Sequence, residues 1–467
     1  MERTYTILLE RGGNLATRYR GGSRALGQHF DSTARFAAEP PRPAVHLEKL
    51  TAQELQELSA EPEFVAAAEV MATRLLSPVA EAAAAPDAIS VEGRRQRQSW
   101  GVAAVGADRS KYTGADVSVA LLDTGIDAAH PAFRGVDLVE RDFTGHGDGD
   151  ECGHGTHCAG TIFGRAVDGV RIGVAPGVRR ALIGKVLGPD GGNSDMLIRG
   201  LAWAHEQGAH VISMSVGLDF AMTVEQRTAE GWESSLATAV ALEAYTANLR
   251  LLDRLLQMLR MQEPFTGGAL LVAAAGNDSR RGVGGDHIMS ACPPCGSDRI
   301  VSVGALDRAS QGGSYQVSSF SNCGVELTAP GRDIVSAAAG GGLKVQSGTS
   351  TAAPHVAGVA ALWWQAVRQS DLPANATLVR GKLLASAARD GFSLAVYPGD
   401  RGAGRVVAPR DSAAVSPRRA ASERPRNAVE DTATDHAHQW AFGRQFEPIS
   451  LDSQLVNLGR AGGGYLS

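Results

Sequence analysis

The sequence predicts an α/β protein: a mostly parallel central sheet with helices on both faces, preceded by a small α+β unit. Two observations carry this. From Trp100 to about Ala413, apolar strand-like runs (Val117–Leu122, Ala181–Val186, Val211–Met214, Ala269–Ala275, Ile300–Val303) alternate with segments of helical periodicity, the pattern of strands joined by crossover helices. These runs are also near-continuously hydrophobic, as strands covered on both faces must be. The composition agrees, with 56 glycines for tight turns, few aromatics and 43% hydrophobic residues.

Residues 1–98 form the first expected unit. Tyr5–Leu9 reads as a strand, and Ala44–Leu50 is a second apolar patch. A helix should start at Thr51, because Thr51 with Glu54 is a capping-box pair and Leu55 and Leu58 share one face. A further apolar run spans Phe64–Leu76 and is followed by an Ala-rich linker and the basic stretch 94–97. Residues 99–413 are expected to form the main domain, with an insertion at about 218–262. Inside the insertion, Leu242, Tyr245, Leu249, Leu252, Leu256 and Leu259 recur at helical spacing across 234–261. It reads either as a longer core helix with a surface insertion or as a lid or exosite. Residues 414–467, rich in Ser, Pro, Arg and Ala, read as a flexible tail, with one short apolar segment at 440–449.

Net charge is −5 with acids and bases nearly balanced, so neither nucleic acid nor an anionic membrane is expected as a partner. No stretch approaches the roughly 18 apolar residues that span a bilayer. The first residues contain no apolar core of a Sec-type signal. The expectation is a cytoplasmic protein or one exported by another route. Five cysteines do not suggest a disulfide framework.

Chemistry concentrates in three motifs at strand ends and helix starts. Val119-Ala-Leu-Leu-Asp-Thr-Gly-Ile126 is a buried strand ending in a carboxylate. Gly153-His-Gly-Thr-His-Cys-Ala-Gly160 and Gly348-Thr-Ser-Thr-Ala-Ala-Pro-His-Val-Ala-Gly358 each open a helix. A hydroxyl becomes a useful nucleophile when a base takes its proton, and the base needs a third group to fix its tautomer. Asp, His and Ser, each at the edge where parallel sheets bind ligands, supply that set.

Together these motifs closely resemble the subtilisin-like (S8) serine proteases over about 100–413. The resemblance implies the three-layer fold of that family, with Asp123 orienting His154, His154 as general base and acid, and Ser350 as nucleophile. Asn277, in Ala273-Ala-Ala-Gly-Asn-Asp278, would donate to the oxyanion with the Ser350 N–H. Ser215, Val216 and Gly217 would face Ala274, Ala275 and Gly276 across the primary specificity pocket, which should take uncharged or apolar residues. Residues 1–98 resemble the family's inhibitory propeptide, implying a zymogen cut in cis between about Ser77 and Ser99. His157, one turn beyond His154, is expected to be a structural partner.

Several features depart from the family. Thr351 follows the nucleophile, where Met is common. Arg165–Ile172 falls where many relatives hold calcium but offers one carboxylate, Asp168, so no cofactor is expected to be required for catalysis and a structural calcium is unsupported. Cys292-Pro-Pro-Cys295 reads as a structural or local-disulfide pair, and Cys158 as a buried free thiol. The expected partners are a protein or peptide substrate and the chain's own N-terminal unit. The function read here is a serine endopeptidase, either broadly degradative or dedicated to one substrate. The alternative is an inactive peptide-binding pseudoprotease.

Overall fold

A computed structural model of the chain describes residues 2–10, 42–79, 97–283, 287–308, 314–394 and 396–410. The Ala-rich linker, most of the basic 94–97 stretch and the expected tail fall outside them. The first elements are β1 (Arg3–Glu10), β2 (Pro43–Leu50), α1 (Ala52–Ser59) and β3 (Phe64–Glu69), forming an antiparallel sheet of order β2-β1-β3. The capping box forms: the Thr51 hydroxyl accepts from the Glu54 N–H, and the Glu54 carboxylate accepts from the Thr51 N–H. Alternation along β1 divides its side chains between two cores. Ile7 and Leu9 meet Leu50 and Leu58 within the unit, whereas Leu8 joins the core of the main domain.

The Phe64–Leu76 run, expected as one strand, is two. The Val70 N–H still bonds to Thr4 O in the N-terminal sheet, but Met71 O accepts from the Ser194 N–H. Strand β4 (Ala72–Leu75) therefore leaves that sheet and pairs within the main domain.

The main domain continues with α2 (Trp100–Ala104), β5 (Ser118–Asp123), β6 (Asp137–Asp142), α3 (His154–Phe163), β7 (Arg180–Lys185), β8 (Gly192–Asn193) and α4 (Ser194–Glu206). Next come β9 (Val211–Met214), β10 (Val216–Leu218), α5 (Phe220–Ala229), α6 (Ser234–Met261), β11 (Leu270–Ala274), β12 (Ile300–Asp307) and β13 (Gln316–Val317). They are followed by β14 (Leu327–Pro330), β15 (Ile334–Ala337), β16 (Leu343–Gln346), α7 (Thr349–Arg368), α8 (Ala376–Ser386) and a short helix at Pro398–Arg401. The central sheet runs β13-β12-β11-β9-β5-β7-β6, with β14 also on β12, and only the β12–β13 pairing is antiparallel.

Both faces are covered. Val119 and Leu121 of β5 pack under α3 and α7, while Ala120 and Leu122 pack under α4 and α6. Strand order reverses at β5, which has β7 on one side and β9 on the other. Its carboxyl end is thus the switch point where ligand crevices open. The insertion is α5 and α6. The second half of α6 buries Leu251, Leu252, Leu255, Leu256 and Leu259 against the sheet. Nearer its start, Asn248 donates to Glu69 O of β3 at 2.8 Å. α6 is therefore a long core helix that also supports the N-terminal unit. Among the described residues, no helix is long and apolar enough to cross a membrane.

Candidate active site

Asp123 ends β5 and is fully buried. Its Oδ1 accepts from His154 Nδ1–H at 2.6 Å and from the Thr124 N–H at 2.8 Å. His154 is the first residue of α3 and is likewise buried. The spacing of the first two motifs follows from how closely β5 and α3 meet. A Cβ on Gly155 would lie 2.1 Å from Gly125 O, so the helix start requires glycine there. Asp150 ties the two together. Its Oδ1 accepts from Thr124 Oγ1 and the Gly153 N–H, and its Oδ2 accepts from the Thr156 N–H and hydroxyl, all at 2.7–2.8 Å. Sequence reasoning missed Asp150. Its position just before the helix start and its short side chain were the available signal.

Ser350 is the second residue of α7 and is fully buried. Its Oγ makes no hydrogen bond. The helix contains Pro354. Proline has no N–H for the carbonyl four residues back, so Ser350 O lacks its helical donor. The Cys158 thiol of α3 donates there instead, at 3.3 Å, while its sulfur lies 3.7–3.8 Å from the His154 ring nitrogens. Burial, and next the Asp123 charge, push that thiol well above its usual range.

Asn277 faces the same point. Its Oδ1 accepts from the Thr349 N–H at 2.8 Å and from the Thr349 hydroxyl at 2.9 Å. That fixes the amide so that Nδ2 is presented to the cleft. A Cβ on Gly348 would lie 2.9 Å from Ser350 Oγ and 3.2 Å from Asn277 Nδ2, so both groups converge beside Gly348.

Strand β4 lies across this cleft. It pairs antiparallel with β10 (Leu75 with Val216, Arg74 with Gly217) and with β8 on its other edge. The Leu76 N–H donates to Ser215 O at 3.0 Å, and Asn277 Nδ2 donates to Leu76 O at 3.3 Å and Ser77 O at 2.9 Å. The Val79 N–H donates to Ser347 O. Ser215, Val216 and Gly217 thus flank the cleft strand directly. Ala274 and Ala275 are buried at the end of β11, and Gly276 follows. Both walls meet at Cys292: a Cβ on Gly217 would lie 3.6 Å, and one on Gly276 3.2 Å, from its Sγ.

Of the two roles expected of the cysteine pair, the local disulfide does not form, since Cys292 and Cys295 are both free thiols. Cys295 is turned away and donates to Ala273 O and Ala274 O at 3.3 and 3.1 Å. His157 Nε2–H donates to Ile334 O at 3.0 Å, and burial lowers its pKa to about 3. In the 165–172 loop, the guanidinium of Arg165 takes the carbonyls of Phe163 and Val178, and Arg171 takes those of Gly173, Ala107 and Val174.

The sequence pattern of the subtilase family (Peptidase S8) matches residues 114–422. An intracellular serine protease of Paenibacillus polymyxa is 34% identical over 256 residues, covering 53% of this chain and 67% of that protein. The major intracellular serine protease of Bacillus subtilis is 32% identical over 259 residues (53% and 68%). A thermostable alkaline protease of Halalkalibacterium halodurans is 32% identical over 326 residues (68% and 72%). Motif order, sheet topology and these likenesses agree: the chain belongs to the subtilase family, and it is a subtilisin-like serine protease that acts on protein substrates.

Proposed function

We propose that the chain is an endopeptidase that forms an acyl-enzyme at Ser350 and is made as a self-inhibited zymogen. The observation that carries this is the lie of residues 72–79, an extended segment of the chain's own N-terminal unit bonded along Ser215–Leu218 with its carbonyls at Asn277. A peptide substrate needs that same ladder.

In this reading the Asp123 carboxylate holds the proton of His154 on Nδ1, which leaves Nε2 free to take the Ser350 Oγ proton. Ser350 Oγ then bonds to the scissile carbon, and the carbonyl electrons move onto oxygen. Asn277 Nδ2, with the Ser350 N–H at the start of α7, stabilises that oxyanion. The carbonyl reforms as the C–N bond breaks and His154 gives its proton to the departing amine. Water, deprotonated by His154, then attacks the ester, and the C–O bond to Ser350 breaks to release the acid and restore the hydroxyl. No step needs a metal.

A fluorophosphonate probe should label the processed chain and fail on Ser350→Ala, which should remain full length when pure. Stoichiometric probe labelling of Ser350→Ala, or its cleavage when pure, overturns the reading. Wild-type chain that binds peptides without labelling supports the pseudoprotease instead.

A further inference from the structure

The cleft segment shows which side chains the site accepts. Asn277 Nδ2 donates to both Leu76 O and Ser77 O, at 3.3 and 2.9 Å. The Leu76 N–H bond to Ser215 O, continuing the Leu75–Val216 pairing, sets the register in which Leu76 stands where the residue on the acyl side of the scissile bond would stand. Its side chain is buried, with Cδ2 3.1 Å and Cys292 Sγ 3.6 Å from the place where a Gly217 Cβ would be. Cys292 is held there by its N–H bond to Ala275 O at 2.9 Å. Burial, with Asp278 nearby, pushes this thiol up to about 11. The pocket wall is therefore neutral and apolar.

Two residues earlier, Arg74 projects from the same side of the strand. Its guanidinium donates to Asp278 Oδ1 at 2.9 Å. Asp278 is held for this role: its N–H donates to Asn322 Oδ1 at 3.1 Å, and Asn322 Nδ2 donates to its Oδ2 at 3.2 Å. Only Oδ1 is left facing Arg74. Asp278 directly follows Asn277, so its carboxylate is fixed relative to the reacting carbonyl.

We propose that Asp278 and Cys292 are specificity-determining residues, selecting substrates with a basic side chain two residues before an aliphatic residue at the scissile bond. This rests on the reading of Ser350 as nucleophile and of 72–79 as lying where substrate lies. The ion pair is about a third to two-fifths exposed, so the selection it exerts is modest and weakens with salt.

The test uses the self-processed chain, with active sites counted by fluorophosphonate labelling. Quenched-fluorescent peptides are compared that differ only in carrying Arg, Ala or Glu two residues before a scissile Leu-Ser bond. The expected kcat/KM is about 5-fold higher for Arg than for Ala and about 5-fold lower for Glu, contracting at high salt. Asp278→Asn should bring all three within about 2-fold, and Asp278→Lys should reverse the order. Cys292→Gly, which deepens the wall, should raise the ratio of Phe to Leu at the scissile position about 5-fold. Full labelling with equal turnover of the three peptides overturns the proposal and leaves the catalytic reading intact. A folded chain that does not label overturns both.

Discussion

The Cys158 thiol donates to the backbone carbonyl of Ser350 at 3.3 Å. The bond links α3, which carries His154, to α7, which carries Ser350, at the carbonyl that Pro354 leaves without a helical donor. Cys158→Ala should destabilise the chain by about 1–3 kcal/mol, since a buried carbonyl loses its donor. Cys158→Ser restores a donor and should recover part of that loss. Denaturant unfolding in the Ser350→Ala background measures both.

Gly155→Ala should impair turnover through geometry alone. The new Cβ meets Gly125 O at 2.1 Å, so α3 must shift against β5 and move His154 from Asp123. A displacement of about 1 Å costs about 10²-fold in kcat. Single-turnover kinetics on a peptide ester should show the loss in kcat, with KM nearly unchanged.

Asn277→Asp keeps the oxygen that accepts from Thr349 but removes the donor facing the cleft. A kcat lower by about 10²–10³-fold is expected, a range carried over from subtilisin. The melting temperature should hardly move.

His157 and His355 are fully buried, and burial lowers their pKa values to about 3 and about 4. In the unfolded chain each titrates near 6.5. Below pH 6.5 the unfolded state therefore binds protons that the folded state refuses. Each histidine should remove about 1.4 kcal/mol of stability per pH unit from pH 6.5 down to about 4, with no contribution above 6.5. Urea unfolding of Ser350→Ala at stepped pH checks the slope, and His157→Gln should reduce it.

Glu69 in β3 is nearly buried between Arg3 and Arg227, and Arg227 comes from the insertion helix α5. Arg227→Ala leaves Glu69 with Arg3 but removes one charged hydrogen bond, a loss of about 1.5–3 kcal/mol. Arg227→Ala in the Ser350→Ala chain should therefore loosen the N-terminal unit. Hydrogen exchange at the Leu76 amide should accelerate at least 10-fold; unchanged protection would count against a docking role for the insertion.

Much of this was legible in sequence because the relevant patterns are local. The runs of β9 and β11 are apolar since both faces are covered, and α6 spans the 234–261 stretch that its periodicity marked. Strand β6 carries no such signal: Asp137, Glu140, Arg141 and Asp142 sit on a sheet edge, where solvent tolerates charge. Asp123, His154, Asn277 and Ser350 were visible through their motifs, and the fold brings them to one edge. Asp150 was not marked, Asp278 appeared only as the end of the Asn277 motif, and Cys292 was marked only as half of a cysteine pair, because their contacts with Thr124, Arg74 and Gly276 are ones that sequence distance conceals. The Phe64–Leu76 run hid its break for the same reason, since Ser194 causes it.

That break joins two binding surfaces through a hinge of only two residues. The N-terminal sheet rests on α4 and α6, and β4 fills the cleft, so the unit holds the main domain as a bivalent ligand does. Once either half is docked, the other faces its site at an effective concentration far above that of any free peptide. Cutting the chain beyond Leu76 breaks neither attachment. If the chain is the zymogen proposed above, release would require both halves to let go together, which would make the lifetime of the bound unit, rather than the cut itself, the timer on the exposure of Ser350.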